Sequence, residues 1–266
     1  MIKVLFMGRK PVAARCLERL LARDDVEVVA VLTDSHLAVS PTSEVARSNG
    51  LPLLKFEEAL KACEDGNLNF DLGISVLYWR RLKGAFLEVP PRGIVNFHPA
   101  PLPDYKGVGG YNLAILDSLD EWACSAHYVD EGIDTGEIIA LDRFPMDKDA
   151  ETAKSLEAKS QESLFKLFVS VFDDLADSKE RLSTTPNQGG RHLGRKELEE
   201  LKKVDFEKDD VAKKVRAFWF PPYDGAFVEI KGQKFTLVDR TILESLADPN
   251  SSSLFTAGAT RSTGDS

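Results

Sequence analysis

The sequence predicts an α/β fold, a doubly wound and mostly parallel sheet with helices on both faces, followed by a small C-terminal α+β unit. Short, nearly continuous apolar runs alternate with helix-like patterns through residues 2–97, as expected for strands that are buried on both faces. Turn residues bound most of these runs. Ligands of such sheets bind beyond the carboxyl ends of the strands, so we expect functional side chains there.

The elements of the main domain follow from these runs in order. Gly8 ends the first run, and Pro11 suits the first turn of the helix that follows. A long amphipathic segment at 152–172 is typical of a helix that packs on the sheet. The sequence predicts strands at 2–7, 26–32, 51–56, 72–77, 93–97, 122–129 and 137–141, and helices at 12–22, 43–47, 57–62, 81–87, 113–119 and 152–172.

Composition divides the chain into four parts. Residues 1–182 form the main domain, and residues 183–195, rich in Thr, Pro, Asn and Gly, are typical of a linker. Residues 196–246 form the small unit, and residues 247–266 carry few apolar side chains and are expected to be disordered. Within the small unit we predict helices at 197–203 and 209–220 and a hairpin of 226–230 with 234–238.

The overall charge limits the kinds of partner. A chain of 266 residues with a net charge of −9 and a pI near 5.1 is not built to neutralise phosphates along a nucleic acid, although a local basic patch could still exist. Three cysteines without zinc spacing indicate buried thiols in a reducing compartment and no metal site. Neither a signal peptide nor a membrane span is recognisable. We expect a cytoplasmic protein with no membrane partner.

A polar pair marks the end of the fifth predicted strand. Asn96 and His98 are two residues apart, so their side chains project to the same side of a strand. Prolines at 99, 101 and 103 then end the strand and stiffen the loop. The alternative is a capped turn with a histidine on the surface.

An acidic loop follows the sixth predicted strand. Asp134 lies between Gly132 and Gly136, which would permit a tight turn with positive φ near the carboxylate. An ordinary acidic turn is the alternative, and His127 on the preceding strand would then be structural.

Three further loops are candidate binding segments. Residues 8–11 lack a Gly-x-Gly-x-x-Gly fingerprint, but a glycine, two cations and a helix start suit an anion such as pyrophosphate; solvated cations are the alternative. Residues 78–82 combine aromatic and Arg side chains that could line a flat heteroaromatic pocket, unless they form the face of a helix. Residues 107–112 are rich in glycine and could let the backbone approach a ligand or form a plain loop.

Read together, these motifs resemble those of a known family. Asn96-Phe97-His98-Pro99, with Leu102-Pro103 and Gly107 and then Asp134-Thr135-Gly136, resembles the signature of the folate-dependent formyltransferases, which include the glycinamide ribonucleotide and methionyl-tRNA enzymes. The resemblance covers about residues 1–180. The segment His-Pro-Ala-Pro-Leu-Pro is more similar to that of the nucleotide-sugar N-formyltransferases than to that of the tRNA enzymes, which usually carry Ser-Leu-Leu-Pro.

This resemblance implies an activity and a set of roles. It implies a Rossmann-like formyltransferase fold, N10-formyltetrahydrofolate as co-substrate without a metal, and a dTDP-linked deoxy-amino sugar as acceptor, as in O-antigen or polysaccharide biosynthesis. The implied catalytic residues are Asn96, His98 and Asp134, with His127 near the site. The implied co-substrate residues are Tyr78, Trp79, Arg80, Arg81, Leu82, Asp130, Gly132 and Ile133, and the implied acceptor residues are Gly8, Arg9, Lys10, Pro101, Tyr105, Lys106, Gly107, Gly109 and Tyr111.

The chemistry of the implied triad is that of formyl transfer to an amine. The Asn96 amide and a protonated His98 would donate to the oxyanion of a tetrahedral species, and Asp134 would keep His98 charged and help remove the amine proton. Methionyl-tRNA formylation, a non-catalytic folate- or nucleotide-binding protein and formyl-folate hydrolysis are the alternatives. The small unit, of about 50 residues, is shorter than the barrel that tRNA enzymes append.

The aromatic segment 218–227 leads to an expectation about assembly. Phe218, Trp219, Phe220 and Tyr223 exceed what so small a unit can bury alone. We therefore expect a homodimer.

Overall fold

The computed structural model describes residues 1–34, 39–178 and 180–246. The predicted disordered tail at 247–266 lies outside the described residues. The strands are β1 Ile2–Gly8, β2 Val26–Leu32, β3 Leu53–Leu54, β4 Leu72–Val76, β5 Ile94–His98, β6 Tyr105–Gly107, β7 Glu121–Tyr128, β8 Ile138–Pro145, β9 Arg191–Leu193, β10 Phe227–Ile230 and β11 Gln233–Thr236. The helices are α1 Pro11–Leu21, α2 Pro41–Ser48, α3 Phe56–Glu64, α4 Ala85–Glu88, α5 Gly110–Leu116, α6 Ala153–Asp177, α7 Arg195–Leu201, α8 Val211–Phe218 and α9 Arg240–Ser245.

One seven-stranded sheet organises the main domain. Its order is β3-β2-β1-β4-β5-β7-β8, in which the first five strands are parallel and β7 pairs antiparallel with both β5 and β8. This confirms the predicted doubly wound, mostly parallel sheet. The register places Ser75 of β4 beside Asn96 of β5, and Asn96 beside His127 of β7. Three polar residues on neighbouring strands therefore meet at one level of the sheet.

Apolar side chains cover both faces of this sheet. Helices α1 and α6 pack on one face, where Phe97 of β5 meets Phe168 of α6 with ring centroids 5.2 Å apart. Helices α3 and α4 pack on the other face through Phe56 and Phe86, whose ring centroids are 5.1 Å apart. The carboxyl ends of β4 and β5 remain open beyond these layers, which is where the polar residues lie.

Two predicted elements near the sheet are shorter than expected. The strand predicted at 51–56 is reduced to β3, and the helix predicted at 81–87 begins only at Ala85. Leu77 has φ = 51°, a left-handed conformation that is uncommon for leucine and turns the chain at the end of β4. Residues 78–82 consequently form an irregular loop, and the interpretation of this segment as a helix face is wrong.

The C-terminal unit packs on the main domain. Phe218 is 2% exposed and shares a core with Trp122 of β7 and Leu156 of α6, while the Asn112 amide of α5 donates to the Ala217 carbonyl at 2.7 Å. Trp219 and Phe220 pack against the same core, and only Tyr223 of the four aromatic residues is largely exposed, at 68%. The homodimer prediction assumed that these aromatic side chains could not be buried within one chain. That assumption is wrong for Phe218, Trp219 and Phe220.

The segment predicted as a linker makes regular backbone contacts with the main domain. Thr185 exchanges backbone hydrogen bonds with Ile138 at 3.0 and 2.8 Å. Residues 191–193 form β9, which pairs in parallel with β6 at 105–107. The sequence predicted neither of these short strands.

A hairpin and short helices complete the C-terminal unit. Strands β10 and β11 form the predicted hairpin, with a turn at Lys231 and Gly232, which both have positive φ. Within the part of the chain that the structure describes, no helix has the length and apolar character needed to span a lipid bilayer.

Candidate active site

A cleft of about 400 Å³ lies at the carboxyl ends of β4 and β5. Two loops, 77–82 and 129–134, form one side of it, and residues 192–195 lie on another side. The lining residues are Ser75, Leu77, Tyr78, Trp79, Arg80, Arg81, Leu82, Asn96, Phe97, His98, Pro99, Gly107, Val108, His127, Val129, Asp130, Gly132, Ile133, Asp134, His192, Leu193, Gly194 and Arg195. The three predicted catalytic residues, His127 and all eight predicted co-substrate residues are among them.

Asn96 is held by hydrogen bonds on both sides of its amide. The Ser75 hydroxyl donates to Asn96 Oδ1 at 2.7 Å, and Asn96 Nδ2 lies 3.0 Å from His127 Nε2. The other ring nitrogen of His127, Nδ1, lies 2.8 Å from the Tyr128 carbonyl oxygen. Ser75 and His127 are both buried. The orientation of Asn96 is thus set by side chains from the two neighbouring strands.

His98 has an oxygen beside each ring nitrogen. Its Nδ1 lies 3.5 Å from Asp134 Oδ1, and its Nε2 lies 3.1 Å from the Tyr105 carbonyl oxygen. The side chain is 8% exposed yet lines the cleft, so one edge of the ring faces the open space. An imidazolium would offer a proton to both oxygens, whereas a neutral imidazole can satisfy only one.

Asp134 lies on a turn that is fixed by the backbone around it. The residue itself has φ = 54°, and the Gly107 amide donates to its Oδ2 at 2.9 Å. The Asn187 amide donates to the carbonyls of Asp134 and Gly136 at 2.9 and 2.8 Å. These contacts hold the carboxylate between His98 and His127.

The flanking glycines act differently from our prediction. Neither Gly132 nor Gly136 has positive φ, which falls on Asp134 instead. A Cβ at Gly136 would lie 1.8 Å from the Tyr128 carbonyl oxygen, and a Cβ at Gly132 would lie 1.9 Å from Thr135 Oγ1. Close approach of the backbone therefore requires glycine at 136, whereas a side chain at 132 would displace the Thr135 side chain.

Burial and charge act in opposite directions on this pair. Burial lowers the pKa of His98 below its usual 6.5, and the nearby carboxylate of Asp134 offsets only part of this effect. Burial alone would raise the pKa of Asp134, but His98, His127 and the Gly107 amide together lower this pKa to about 2. At neutral pH Asp134 is therefore ionised and His98 mostly neutral. Burial thus acts against a protonated His98, and the role of Asp134 in keeping His98 charged stays a prediction.

The loop after β4 provides an aromatic and apolar wall. Trp79 is 49% exposed and donates through Nε1 to the Asp34 carbonyl at 2.8 Å, while Leu82 is buried beneath the loop. Tyr78 donates to the Asp34 carboxylate, and burial raises the pKa of its phenol. Arg80 pairs with Glu57, and Arg81 donates to the Glu131 carbonyl. A flat, partly apolar surface results, with its cations already engaged.

Residues 192–195, in the segment predicted as a linker, form another part of the cleft lining. His192 and Arg195 are exposed side chains there, and Gly107 and Val108 also line the cleft. Gly190 has φ = 77°, and a Cβ there would lie 1.7 Å from the Pro103 carbonyl oxygen, so the absence of a side chain lets this segment approach the backbone of Pro103 closely. Among the residues that the structure describes, none forms a hydrogen bond or ion pair with the Arg195 side chain.

Most residues predicted to bind the acceptor do not line the cleft. Lys10 pairs with Glu157, and Lys106 donates to the carbonyls of Asn187 and Gly189. Tyr111 packs in the core beside Trp122, where burial raises its pKa. Of the nine residues predicted for the acceptor, only Gly107 lines the cleft; Gly8, Arg9, Lys10, Pro101, Tyr105, Lys106, Gly109 and Tyr111 lie elsewhere. Their binding roles remain predictions that this arrangement does not support.

Sequence reasoning also missed several cleft residues. Ser75 lies within an apolar strand, where a single serine gives no signal, although its register beside Asn96 could have been derived from the predicted sheet. Leu77 and Val129 are apolar residues that follow strands, and their positions at strand ends are a signal for the cleft. Residues 192–195 line the cleft, and Asn187 supports the Asp134 turn; both lie in a segment whose composition is that of a loop, and tertiary pairing with Ile138 and with β6 determines their location.

The cleft carries no recognisable metal centre. Across residues 1–34, 39–178 and 180–246, no cluster of three or more His, Cys, Asp or Glu side chains has the arrangement of a metal site. His98, His127 and Asp134 are instead connected to one another and to the backbone.

Comparison with known proteins agrees with this arrangement. The chain is 31% identical over 187 residues to the methionyl-tRNA formyltransferase of Clostridium tetani, a match that covers 66% of this chain and 60% of that protein. The chain thus spans less than two thirds of the length of this relative.

Solved structures share the fold at lower identity. A 4-N formyltransferase from Francisella tularensis superposes with a TM-score of 0.75 at 20% identity, covering 90% of this chain and 97% of that one. An N-formyltransferase from Helicobacter canadensis, described in complex with folinic acid and dTDP-3-aminofucose, gives 0.71 at 24% identity and covers 88% and 86%. The sequence profile of the family described as Formyl transferase matches residues 2–172. That match covers more than half of the chain, and this protein therefore belongs to the formyl transferase family.

Proposed function

We propose that the protein transfers a formyl group from N10-formyltetrahydrofolate to the amino group of a nucleotide-linked, dTDP-type deoxy-amino sugar. The observation that carries the proposal is the convergence of Asn96, His98 and Asp134 in one cleft at the ends of parallel strands. Family membership supports the reaction class. The description of the Helicobacter neighbour supports both substrate classes.

The cleft fits a folate-type co-substrate. Its volume of about 400 Å³ lies in the range usual for small-molecule sites. Leu77, Leu82 and Val129 provide apolar lining, and the exposed Trp79 provides an aromatic surface for a flat heteroaromatic ring. Bound there, the folate would supply the formyl group as an activated amide.

The residues of the triad have separate tasks in this reaction. The amine forms a bond to the formyl carbon, the bond from that carbon to the folate nitrogen breaks, and the amine proton passes through the site to the departing nitrogen. Asn96 donates from Nδ2 to the formyl oxygen as charge develops there. His98 is neutral and takes the proton, because its charged form gains Asp134 on one side and the Tyr105 carbonyl on the other.

The acceptor is bound by the side of the cleft that contains residues 192–195. Arg195 and His192 can pair with the phosphates of a nucleotide, since they are exposed and line the cleft. This replaces the predicted set of Arg9, Lys10 and Lys106, of which Lys10 and Lys106 already have other partners. The net charge of −9 also favours a small acceptor over a polyanion.

Formylation of methionyl-tRNA is the second candidate. The name of the Clostridium relative favours it, at 31% identity. To decide, the protein is incubated with N10-formyltetrahydrofolate and either a panel of nucleotide-linked amino sugars or methionyl-tRNA, and products are identified by mass. A formylated sugar is expected, and formylation of methionyl-tRNA alone would overturn the proposal.

We also propose the division into residues 1–182, 183–195 and 196–246, a cytoplasmic location and a homodimer. The dimer proposal now relies on exposed apolar side chains of the C-terminal unit, namely Phe206, Tyr223, Ile230 and Leu243. Light scattering at micromolar concentration tests it, and a mass equal to one chain would contradict it.

A further inference from the structure

We propose that Ser75 is a positioning residue for Asn96: its hydroxyl, acting with His127, fixes the amide of Asn96 in the one orientation that presents an N–H to the reacting oxygen. The inference rests on the proposed function, because it assigns the way in which that site is held. Neither the resemblance nor the predicted site included Ser75. Its support is a chain of hydrogen bonds across three neighbouring strands.

The direction of this chain is fixed at its His127 end. The Tyr128 carbonyl can only accept, so His127 Nδ1, at 2.8 Å, must carry a proton. In the imidazole tautomer with its proton on Nδ1, Nε2 carries a lone pair and accepts a hydrogen bond, and Asp134 Oδ1, at 3.6 Å, lies beyond hydrogen-bond distance from it. The group of Asn96 that lies 3.0 Å away must therefore be the NH₂ group.

The Ser75 end agrees with this orientation. With the NH₂ group toward His127, the carbonyl oxygen of the Asn96 amide faces Ser75, whose hydroxyl can donate to it. The separation of 2.7 Å is typical of an O–H···O hydrogen bond and shorter than most N–H···O bonds. This orientation of the amide thus satisfies the hydrogen bonds at both ends of the chain.

The selected orientation has a consequence for the cleft. Asn96 Nδ2 carries two N–H groups, one of which is used by His127. Within the described residues no further hydrogen bond occupies Nδ2, and Asn96 lines the cleft. The reverse orientation would place a carbonyl oxygen there, which repels an oxygen that becomes negative. Fixing the amide therefore prepares a donor before the substrate binds.

Packing makes Ser75 suited to this task. Ser75 is 3% exposed and lies directly beside Asn96 in the β4–β5 register, so its hydroxyl has little freedom to seek water. Removal of the hydroxyl leaves the Asn96 oxygen without its donor, and the amide can then rotate or recruit water. A loss of positioning of this kind lowers the rate of chemistry more than the affinity for either substrate.

The test compares Ser75→Ala with Ser75→Thr, which retains a hydroxyl. We expect Ser75→Ala to lower kcat by about 10-fold to 100-fold with KM for both substrates within about twofold, and Ser75→Thr to recover most of the loss. Ser163→Ala removes a buried hydroxyl that donates to Asp142 outside the cleft, and serves as the matched control with unchanged kcat. Full kcat in Ser75→Ala, or a loss entirely in KM, would overturn the inference.

A double-mutant cycle separates positioning from other effects. In the Asn96→Ala background, Ser75→Ala should cause no further loss of kcat, because the group that Ser75 positions is already gone. A further loss of about 10-fold there would show that Ser75 acts elsewhere and would contradict the proposal.

A measurement that does not depend on activity keeps the inference separate from the proposed function. In ¹⁵N NMR of the free protein, His127 should be the neutral tautomer protonated at Nδ1, and Ser75→Ala should shift the Asn96 side-chain amide signals. An unchanged Asn96 amide signal would contradict the chain of hydrogen bonds through Ser75, Asn96 and His127. If the wild-type protein formylates no amine while these NMR signals behave as expected, the proposed function is wrong but the positioning of Asn96 by Ser75 is still supported.

Discussion

The two sides of the cleft differ in how their side chains are held. Ser75, Asn96 and His127 project from three adjacent strands and form hydrogen bonds to one another, so the Asn96 amide has a partner on each side. His192 and Arg195 lie on a segment that is tied to the main domain through backbone pairing, with exposed side chains. The first side suits chemistry that needs accurate placement. The second suits an acceptor that is held by charge and can differ in shape.

Substitutions of Asn96, His98 and Asp134 should have the largest effect on kcat, because these side chains line the cleft and are held by hydrogen bonds or by a tight turn. Asn96→Ala, His98→Ala and Asp134→Ala should each lower kcat by about 10²–10³ or more in steady-state assays. His192→Ala, on the other side, is the comparison and should change kcat by less than about tenfold. A triad variant with full turnover would remove that residue from the mechanism.

These variants should also lose stability. Asn96→Ala leaves the Ser75 hydroxyl and His127 Nε2 without their partner, which costs about 1–3 kcal/mol in the free energy of unfolding. Melting temperatures measured in parallel separate this loss from the loss of rate, and assays should be run well below the lowest of them.

Asn187 joins the two sides and should show the next largest effect. Its amide holds the carbonyls of Asp134 and Gly136, so Asn187→Ala should loosen the turn that carries the carboxylate and lower kcat roughly tenfold. Asn69→Ala removes an exposed amide bonded to the Gly66 carbonyl and is the matched control. If both variants have wild-type kcat, the Asp134 turn does not need this support.

Substitution of Arg195 tests the proposed acceptor side of the cleft. Arg195→Ala should raise KM for the nucleotide sugar roughly tenfold, with kcat and KM for the folate nearly unchanged, because it removes a charge-assisted contact to phosphate. Lys196→Ala, the adjacent exposed cation on α7, should have little effect. An equal rise of KM in both variants would indicate a general effect of charge and no specific contact.

The pH profile gives the smallest but most diagnostic effect. Since neutral His98 takes the proton, kcat/KM should fall as the pH drops through the pKa of His98 in the free enzyme, which burial places below 6.5. Asp134, with a pKa of about 2, stays ionised across this range and adds no second limb. A fall of kcat/KM as the pH rises through this range, in place of the acid limb, would mean that protonated His98 is the active form.

The sequence predicted the part of the cleft formed by β4 and β5 far better than the part formed by residues 192–195. Buried parallel strands leave long apolar runs, so the ends of β4 and β5, and with them Asn96 and His98, could be located from residue types and proline positions. The turn at Asp134 was also predicted, although its positive φ lies on the aspartate rather than on a glycine. The pattern of residue types is informative here because side chains alternate along a strand, so the direction of one side chain determines the direction of the next.

The other side carries no such periodicity. Strands β6 and β9 are three residues each, and their pairing joins segments about 86 residues apart, so local sequence cannot reveal it. The sequence suggested that Lys10 and Lys106 could bind phosphate. In the structure Lys10 pairs with Glu157, and Lys106 donates to a backbone carbonyl. The partners of a surface cation depend on residues that are distant in the sequence, so composition and local sequence do not predict them.

A competition between the two acceptors tests the central claim most directly. The protein, N10-formyltetrahydrofolate, a dTDP-linked amino sugar and methionyl-tRNA are combined, and the ratio of the two kcat/KM values is measured from formylated products between about 50 and 200 mM salt. We predict a ratio of at least about 100-fold in favour of the sugar, with only a mild dependence on salt. A preference for methionyl-tRNA that declines steeply with salt would contradict the account.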